Sequence, residues 1–246
     1  MLEVTSMPMH EYGWWEAPQL KPRPITLWLP EKATAPLCVL FAHDGQNLFR
    51  PETSFAGVDW GLHQAVQTLI DQGLARPTMI VGLGNTPDRM KEYEPGPLAN
   101  AYLRFLIEDL RPHLQEHFPI SLDPADHYLI GSSMGGIISA YALCKWPEQF
   151  GGAACLSTHW PHNHGHMVPW LNHNLVYAGR HRWYFDYGDQ TADAPYAPFQ
   201  KQVDDIFRQR GYRQGHDWET LSFPGADHSE RSWRQRLHIP LKFLLF

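Results

Sequence analysis

Ile130-Gly131-Ser132-Ser133-Met134-Gly135-Gly136, entered through the apolar run Tyr128-Leu129-Ile130, is the stretch whose reading decides the fold. It holds Gly-x-Ser-x-Gly with Ser133 at the centre, where a buried strand gives way to a helix. A serine hydroxyl is a weak nucleophile until it is presented sharply and relieved of its proton by a neighbouring base. Glycines two positions either side permit a tight, strained turn, which leaves the serine standing clear at the strand's end. So short a motif also arises by chance, and its meaning depends on its surroundings.

Working outward, short β-type runs alternate with helical stretches, the pattern of an α/β domain with a largely parallel sheet and helices on both faces. Strands are expected at 25–29, 37–42, 78–83, 128–131, 152–156, 183–187 and 219–223. Several are unbroken apolar runs, as strands covered on both faces should be. Helices are expected at 60–71, 98–117, 137–146, 199–210 and 229–246. In the second, Leu103, Leu106, Ile107, Leu110 and Leu114 share one face, and Pro112 should kink it or start a new turn. No repeat or Pro/Ser linker divides the chain, so residues 1–246 read as one domain. Residues 157–179 break the rhythm with His, Trp, Pro and Asn, and read either as a cap or pocket wall or as a surface loop.

Composition narrows the function. A net charge of −6 without any basic block argues against a nucleic-acid or anionic-membrane partner. Cys38, Cys144 and Cys155 are isolated in apolar runs and read as reduced core residues. No run reaches the roughly 18 apolar residues of a membrane span. The first 15 residues lack the apolar stretch of a signal peptide, which makes a cytoplasmic location the default expectation. The 10 tryptophans suit ordinary packing or aromatic pocket walls, and packing is the plainer reading. Oligomeric state is not legible, and a homo-oligomer stays open.

A serine nucleophile needs a histidine base, and the histidine needs a carboxylate to fix its tautomer. Phe223-Pro224-Gly225-Ala226-Asp227-His228-Ser229 offers His228 on a short loop between a strand and the last helix. The acid belongs on the loop after Trp183-Tyr184-Phe185-Asp186-Tyr187-Gly188. Asp186 falls within the strand, which leaves Asp193, the preferred candidate just before the turn into the next helix, and Asp189, its rival. The rejected aspartate would be a turn or capping residue. An oxyanion needs two backbone donors, one from the residue after the nucleophile and one from the loop after an early strand. These are Met134 and, within Ala42-His43-Asp44-Gly45-Gln46-Asn47-Leu48-Phe49, Gln46. Alone, that second segment would read as a tight polar turn.

Taken together, the chain resembles the Putative esterase family of α/β-hydrolases, which includes esterase D, enterochelin esterases, and feruloyl and acetylxylan esterases. The resemblance runs from about Tyr12 to the C-terminus. It rests on His43-Asp44-Gly45-Gln46-Asn47-Leu48-Phe49, Gly131-Ser132-Ser133-Met134-Gly135-Gly136 and Phe223-Pro224-Gly225-Ala226-Asp227-His228-Ser229. Asn85-Thr86-Pro87-Asp88-Arg89-Met90-Lys91-Glu92-Tyr93 also matches a family element, in which an Arg and a Glu-Tyr pair edge the substrate cleft. Arg89 would then meet an anionic substrate group or form a structural salt bridge. The resemblance implies cofactor-free carboxylic-ester hydrolysis through an acyl-enzyme on Ser133, with water later activated by His228. It does not carry a substrate across, because the fold hosts many ester types. Asp44, Arg89, His159 and Trp160 are the candidate substrate contacts, and a small polar, sugar-like or aromatic acyl ester suits them.

Rival readings remain on the sequence alone. His159, His162, His164 and His166 could approach one metal ion, but they lack a paired carboxylate or cysteine pattern and flank Pro161 and Gly165. A binding module that had lost the chemistry would ordinarily lack Ser133 or His228. Thioesterases, carbon–carbon hydrolases and peptidases share the same triad.

Overall fold

In the computed structural model, residues 9–31 and 36–246 are described, so the first eight residues of the stretch read for a signal peptide lie outside them. The strand that leads into Ser133 occupies an interior position of an eight-stranded sheet, ordered β1-β2-β4-β3-β5-β6-β7-β8. In chain order, β1 is Met9–Trp15, β2 Arg23–Trp28, β3 Cys38–His43, β4 Thr78–Leu83, β5 His127–Ser132, β6 Gly152–Leu156, β7 Arg182–Gly188 and β8 Trp218–Phe223. The pairs β1–β2 and β2–β4 are antiparallel, and every other pair is parallel.

The helices are α1 (Leu62–Asp71), α2 (Arg89–Tyr93), α3 (Pro97–Arg104), α4 (Arg111–His117), α5 (Met134–Lys145), α6 (His162–Gly165), α7 (Met167–Asn174), α8 (Tyr196–Gln209), α9 (Glu230–Arg236) and α10 (His238–Leu245). Alternation along each strand divides the core between the two faces of the sheet. Val39, Phe41 and Leu129 join the cluster that takes in α3, α5, α7 and α8. Leu40, Ala42 and Ile130 join the one built with α1, α9 and α10. The α5 helix is buried from Met134 to Cys144, which is why it shows almost no polar face in the sequence. The three cysteines are free and buried. No helix among the described residues is long and apolar enough to cross a membrane.

The sequence-based expectations differ from the structure in four places. Strand β1 was not expected, because it is an edge strand with only half-buried and exposed residues and a register shift between Glu11 and Gly13 that blurs the alternation. The helix expected over 98–117 is a continuous run in which Phe105–Leu110 is π-helical. Pro112 has no N–H for the carbonyl four residues earlier, and the wider turn just before it absorbs that gap without a break. The last helix is two helices joined at Leu237, since Pro240 cannot donate to Arg236 across the join. Finally, residues 157–179 contain α6, an irregular turn with Asn163 and His164 at positive φ, followed by α7. Met167, Val168 and Leu171 of α7 are buried in the core, where α7 packs against α5 and α8.

Two histidines are sealed into the sheet. His43 is fully buried with Nδ1 2.7 Å from the Tyr102 hydroxyl, and burial pushes its pKa down to about 3. His127, likewise buried, donates from Nε2 to the Ser121 carbonyl at 2.8 Å, and burial lowers it to about 4. Unfolded, both would titrate near 6.5. The unfolded chain therefore takes up protons first, and stability falls as the pH drops from about 6.5 towards 4. At pH 4.5 each should cost on the order of 2–3 kcal/mol. Urea unfolding at pH 7.5 and 4.5 checks this, and equal midpoints would refute it.

Candidate active site

Ser133 stands between β5 and α5 with φ 56° and ψ −120°, a backbone conformation that a non-glycine residue adopts only under strain. Its N–H donates to the Leu156 carbonyl at 2.9 Å, which pins the turn to β6. The reason for the first glycine is steric. A Cβ on Gly131 would lie 2.5 Å from the carbonyl carbon of Gly135, so only glycine lets the strand and helix backbones close this tightly. The Met134 amide opens α5 and has no carbonyl partner among the described residues, so it and the positive end of the helix dipole are left for an external anion.

His228 and Asp193 meet on adjacent loops. The His228 Nδ1 lies 2.6 Å from Asp193 Oδ1, and the acid is completely buried. The other oxygen, Oδ2, accepts from the Gly188 N–H at 2.6 Å and the Ser157 hydroxyl at 2.7 Å. Burial alone would raise the Asp193 pKa, but the hydrogen bonds from His228, Ser157 and Gly188 bring it below the usual value. Asp189 does something else: it is exposed, and its Oδ1 accepts from the Gly225 N–H at 2.8 Å, tying the two loops together. The His228 ring is held by two others, Trp233 at 5.0 Å and Tyr196 at 5.9 Å, both met edge to face. Among the described residues His228 Nε2 and Ser133 Oγ accept or donate no hydrogen bond. Such contacts are often long before substrate binds.

Behind Asp193 lies a buried network that the sequence analysis missed. The Ser157 hydroxyl oxygen accepts from Trp233 Nε1 and from Arg236 Nη2, each at 3.0 Å, while donating to Asp193. Arg236 also pairs with Asp186 at 2.9 Å, and both are nearly inaccessible. Ser157 itself sits at φ 39°. An aspartate inside an apolar strand, such as Asp186, was the available signal, because a buried carboxylate needs a cationic partner. Ser157→Ala should strand the indole and guanidinium donors and cost about 1–3 kcal/mol, read as a lowered urea midpoint.

The loop after β3 is fixed from beneath. Asp44 adopts a left-handed conformation and binds Arg89 through both carboxylate oxygens, each at 2.7 Å, with Asn85 adding a 2.8 Å bond. A Cβ on Gly45 would fall 2.6 Å from the Gly82 carbonyl carbon, so this loop also depends on glycine for its close approach. Like Met134, Gln46 has a backbone amide with no acceptor among the described residues. Of the two roles left open for Arg89, the structure shows the salt bridge: its Nε and Nη2 are taken by Asp44. Glu92 and Tyr93, expected at the cleft edge, are fully buried. Glu92 pairs with buried Arg23 at 2.7 Å, and the Tyr93 hydroxyl accepts from the Asp44 N–H at 3.2 Å. They support the loop, because the short α2 turns those side chains inward.

The His-rich wall is divided. His159 is half-buried beside Ser133, whose carbonyl accepts its N–H at 3.2 Å. Trp160 is 1% exposed, packed into the core near Phe185 with its indole N–H on Gln200, so it offers substrate no face. That corrects the expectation for Trp160: alternation after β6 sends it inward when His159 faces out. His162 lies 3.4 Å from Glu94, while His164 and His166 are exposed. Among the described residues no group of three or more His, Cys, Asp or Glu is arranged to hold a metal ion. On the other flank, a cavity of about 370 Å³ opens against Gln46, lined in part by Trp14, Phe49, Arg50 and Thr53.

A parallel-centred sheet with a strained serine at the end of an interior strand, and helices on both faces, defines an α/β-hydrolase fold. The chain belongs to the family described as "Putative esterase", whose model matches residues 20–244. It is 23% identical over 158 residues to the uncharacterized protein YbbA of Bacillus subtilis (strain 168), covering 57% of this chain and 59% of that one. Its structure is similar to that of the enterochelin esterase from Shigella flexneri, with a TM-score of 0.79 and 19% identity over 97% of this chain and 58% of that chain. A ferulic acid esterase matches with a TM-score of 0.72 and 16% identity, covering 97% and 99% of the two chains. The chain thus spans somewhat under two thirds of the length of YbbA and of the enterochelin esterase.

Proposed function

We propose that the protein hydrolyses carboxylic esters through an acyl-enzyme on Ser133, with His228 as general base and Asp193 as its orienting acid. The observation that carries this reading is the strained Ser133 turn, with the unpartnered Met134 amide opening the next helix and a buried Asp193 on His228 Nδ1. The bond to Asp193 keeps the proton on Nδ1 and leaves Nε2 free to accept. In acylation the Ser133 proton passes to His228 Nε2 as Oγ bonds the ester carbon. The carbonyl oxygen becomes an oxyanion, stabilised by the Gln46 and Met134 amides. His228 then protonates the departing alcohol, and the same residue activates water to release the acid. Nothing in these steps calls on a metal or cofactor.

The reading takes a small polar, sugar-like or aromatic acyl ester as substrate. Relatives in fold named for enterochelin and ferulic acid esters support that range. Incubation with a fluorophosphonate probe should label Ser133, located by peptide mass spectrometry, and abolish turnover of p-nitrophenyl acetate. Labelling elsewhere, or turnover that stops on adding a chelator, would defeat the proposal. An acyl thioester run beside the ester distinguishes the thioesterase reading.

A further inference from the structure

His159 stands next to the nucleophile, yet the hydrolytic steps make no use of its side chain. Its Nδ1 lies 2.6 Å from the hydroxyl of Tyr196, a residue 1% exposed at the start of α8. The same tyrosine ring packs edge-on against His228 at 5.9 Å, so one buried side chain touches both histidines. Burial, and then the charge of Asp193, push the Tyr196 phenol well up, which keeps its proton in place as a donor. Among the described residues that hydroxyl has no other partner. If His159 Nδ1 carried the hydrogen, the phenolic hydrogen would have no acceptor. Donation from Tyr196 to Nδ1 satisfies both groups and leaves the imidazole proton on Nε2.

The Nε2 atom has no partner among the described residues and, unlike the buried unpaired Nε2 of His43, is not sealed from solvent. Burial first, with the neighbouring His162 and His228 adding to it, lowers the His159 pKa and keeps the ring neutral. A neutral ring is what this place requires, since a second cation would oppose the imidazolium that His228 becomes. The result is a fixed N–H donor beside the nucleophile, its own backbone N–H 3.2 Å from the Ser133 carbonyl.

We propose that His159 determines specificity, its Nε2–H, oriented by the positioning residue Tyr196, hydrogen-bonding a hydroxyl oxygen that the substrate carries close to the scissile bond. The substrate class is therefore hydroxylated esters in preference to their deoxy analogues. This rests on the ester-hydrolase reading. A site that donates to a substrate oxygen discriminates against the analogue lacking it, because the donor is then left desolvated and unpaired.

The test compares kcat/KM of the full chain for two matched pairs. One pair differs on the acyl side, p-nitrophenyl lactate against p-nitrophenyl propanoate. The other differs on the alcohol side, 2-hydroxyethyl benzoate against propyl benzoate. The wild type should favour the hydroxylated member of at least one pair by roughly tenfold. His159→Ala should bring that ratio close to one, and His159→Gln, which keeps an N–H donor, should recover part of it. Ratios within about twofold in both wild-type pairs, or a preference that survives His159→Ala, would overturn the proposal. Long-range ¹H–¹⁵N NMR should show His159 as the Nε2–H tautomer, shifting towards a mixture in Tyr196→Phe. An Nδ1–H tautomer in the wild type would also overturn it. Failure to hydrolyse any member of either pair would mark the esterase reading itself as wrong, and the specificity role would fall with it.

Discussion

Ser133→Ala is expected to lower kcat for a short acyl nitrophenyl ester by about 10⁵–10⁶-fold, with the fold intact. The loss is this large because the proposed mechanism has no substitute for Oγ: the donors at Gln46 and Met134 stabilise an oxyanion but cannot form the covalent intermediate. Some rate above that of water should persist from those donors and from binding, by roughly 10³–10⁴-fold. The fold should survive because the turn is held by its backbone. Its N–H bonds to Leu156, and its carbonyl accepts from His159 at 3.2 Å and Gly136 at 3.1 Å. Alanine at φ 56° carries a similar strain, so the unfolding free energy read from urea titration should change by less than about 1 kcal/mol. Activity within tenfold of wild type would end the acyl-enzyme reading.

The second large effect separates two aspartates. Asp193→Asn should lower kcat by about 10⁴-fold, and Asp189→Asn by less than about threefold. The Gly188 N–H can only donate, so after Asp193→Asn it holds the new amide's oxygen where Oδ2 was. The amide nitrogen must then face His228 Nδ1, which is forced to accept. The imidazole proton moves to Nε2, where it can no longer take a proton from Ser133. The Asp189→Asn variant keeps a carbonyl oxygen for the Gly225 N–H and loses almost nothing, since that carboxylate is solvated. Equal losses from the two substitutions, measured side by side, would remove Asp193 as the proposed acid.

Much of the sheet was legible because strands covered on both faces are short, continuous and apolar. Strands β4 and β6 match their expected limits, and the others differ by a residue or two at either end. Strand β1 was invisible for the opposite reason: an exposed edge carries no hydrophobic pattern. Around the site, the loops carrying Ser133, Gln46, Asp193 and His228 could be located, since each must follow a strand at the same end of the sheet. The Ser157–Arg236–Asp186 support could not, because its members are separated by tens of residues and paired only by packing. Glu92 and Arg23 show the same limit. A charged residue looks exposed in a sequence until its buried partner is known.

The sequence by itself determined the elbow. Only glycine at position 131 allows the strand and helix backbones to meet there, and a serine at the turn between them has to stand at the strand's end. It likewise determined the alternation that makes an α/β sheet, because both depend on local sterics and nearby hydrophobic spacing. Tertiary structure decided which aspartate lies against His228, which face of residues 159 and 160 meets the cleft, and that Arg89 is held by Asp44. Those outcomes depend on distances of a few ångströms between segments far apart in the chain. Hydrogen bonds and ion pairs are won or lost over such distances, and no local pattern encodes them.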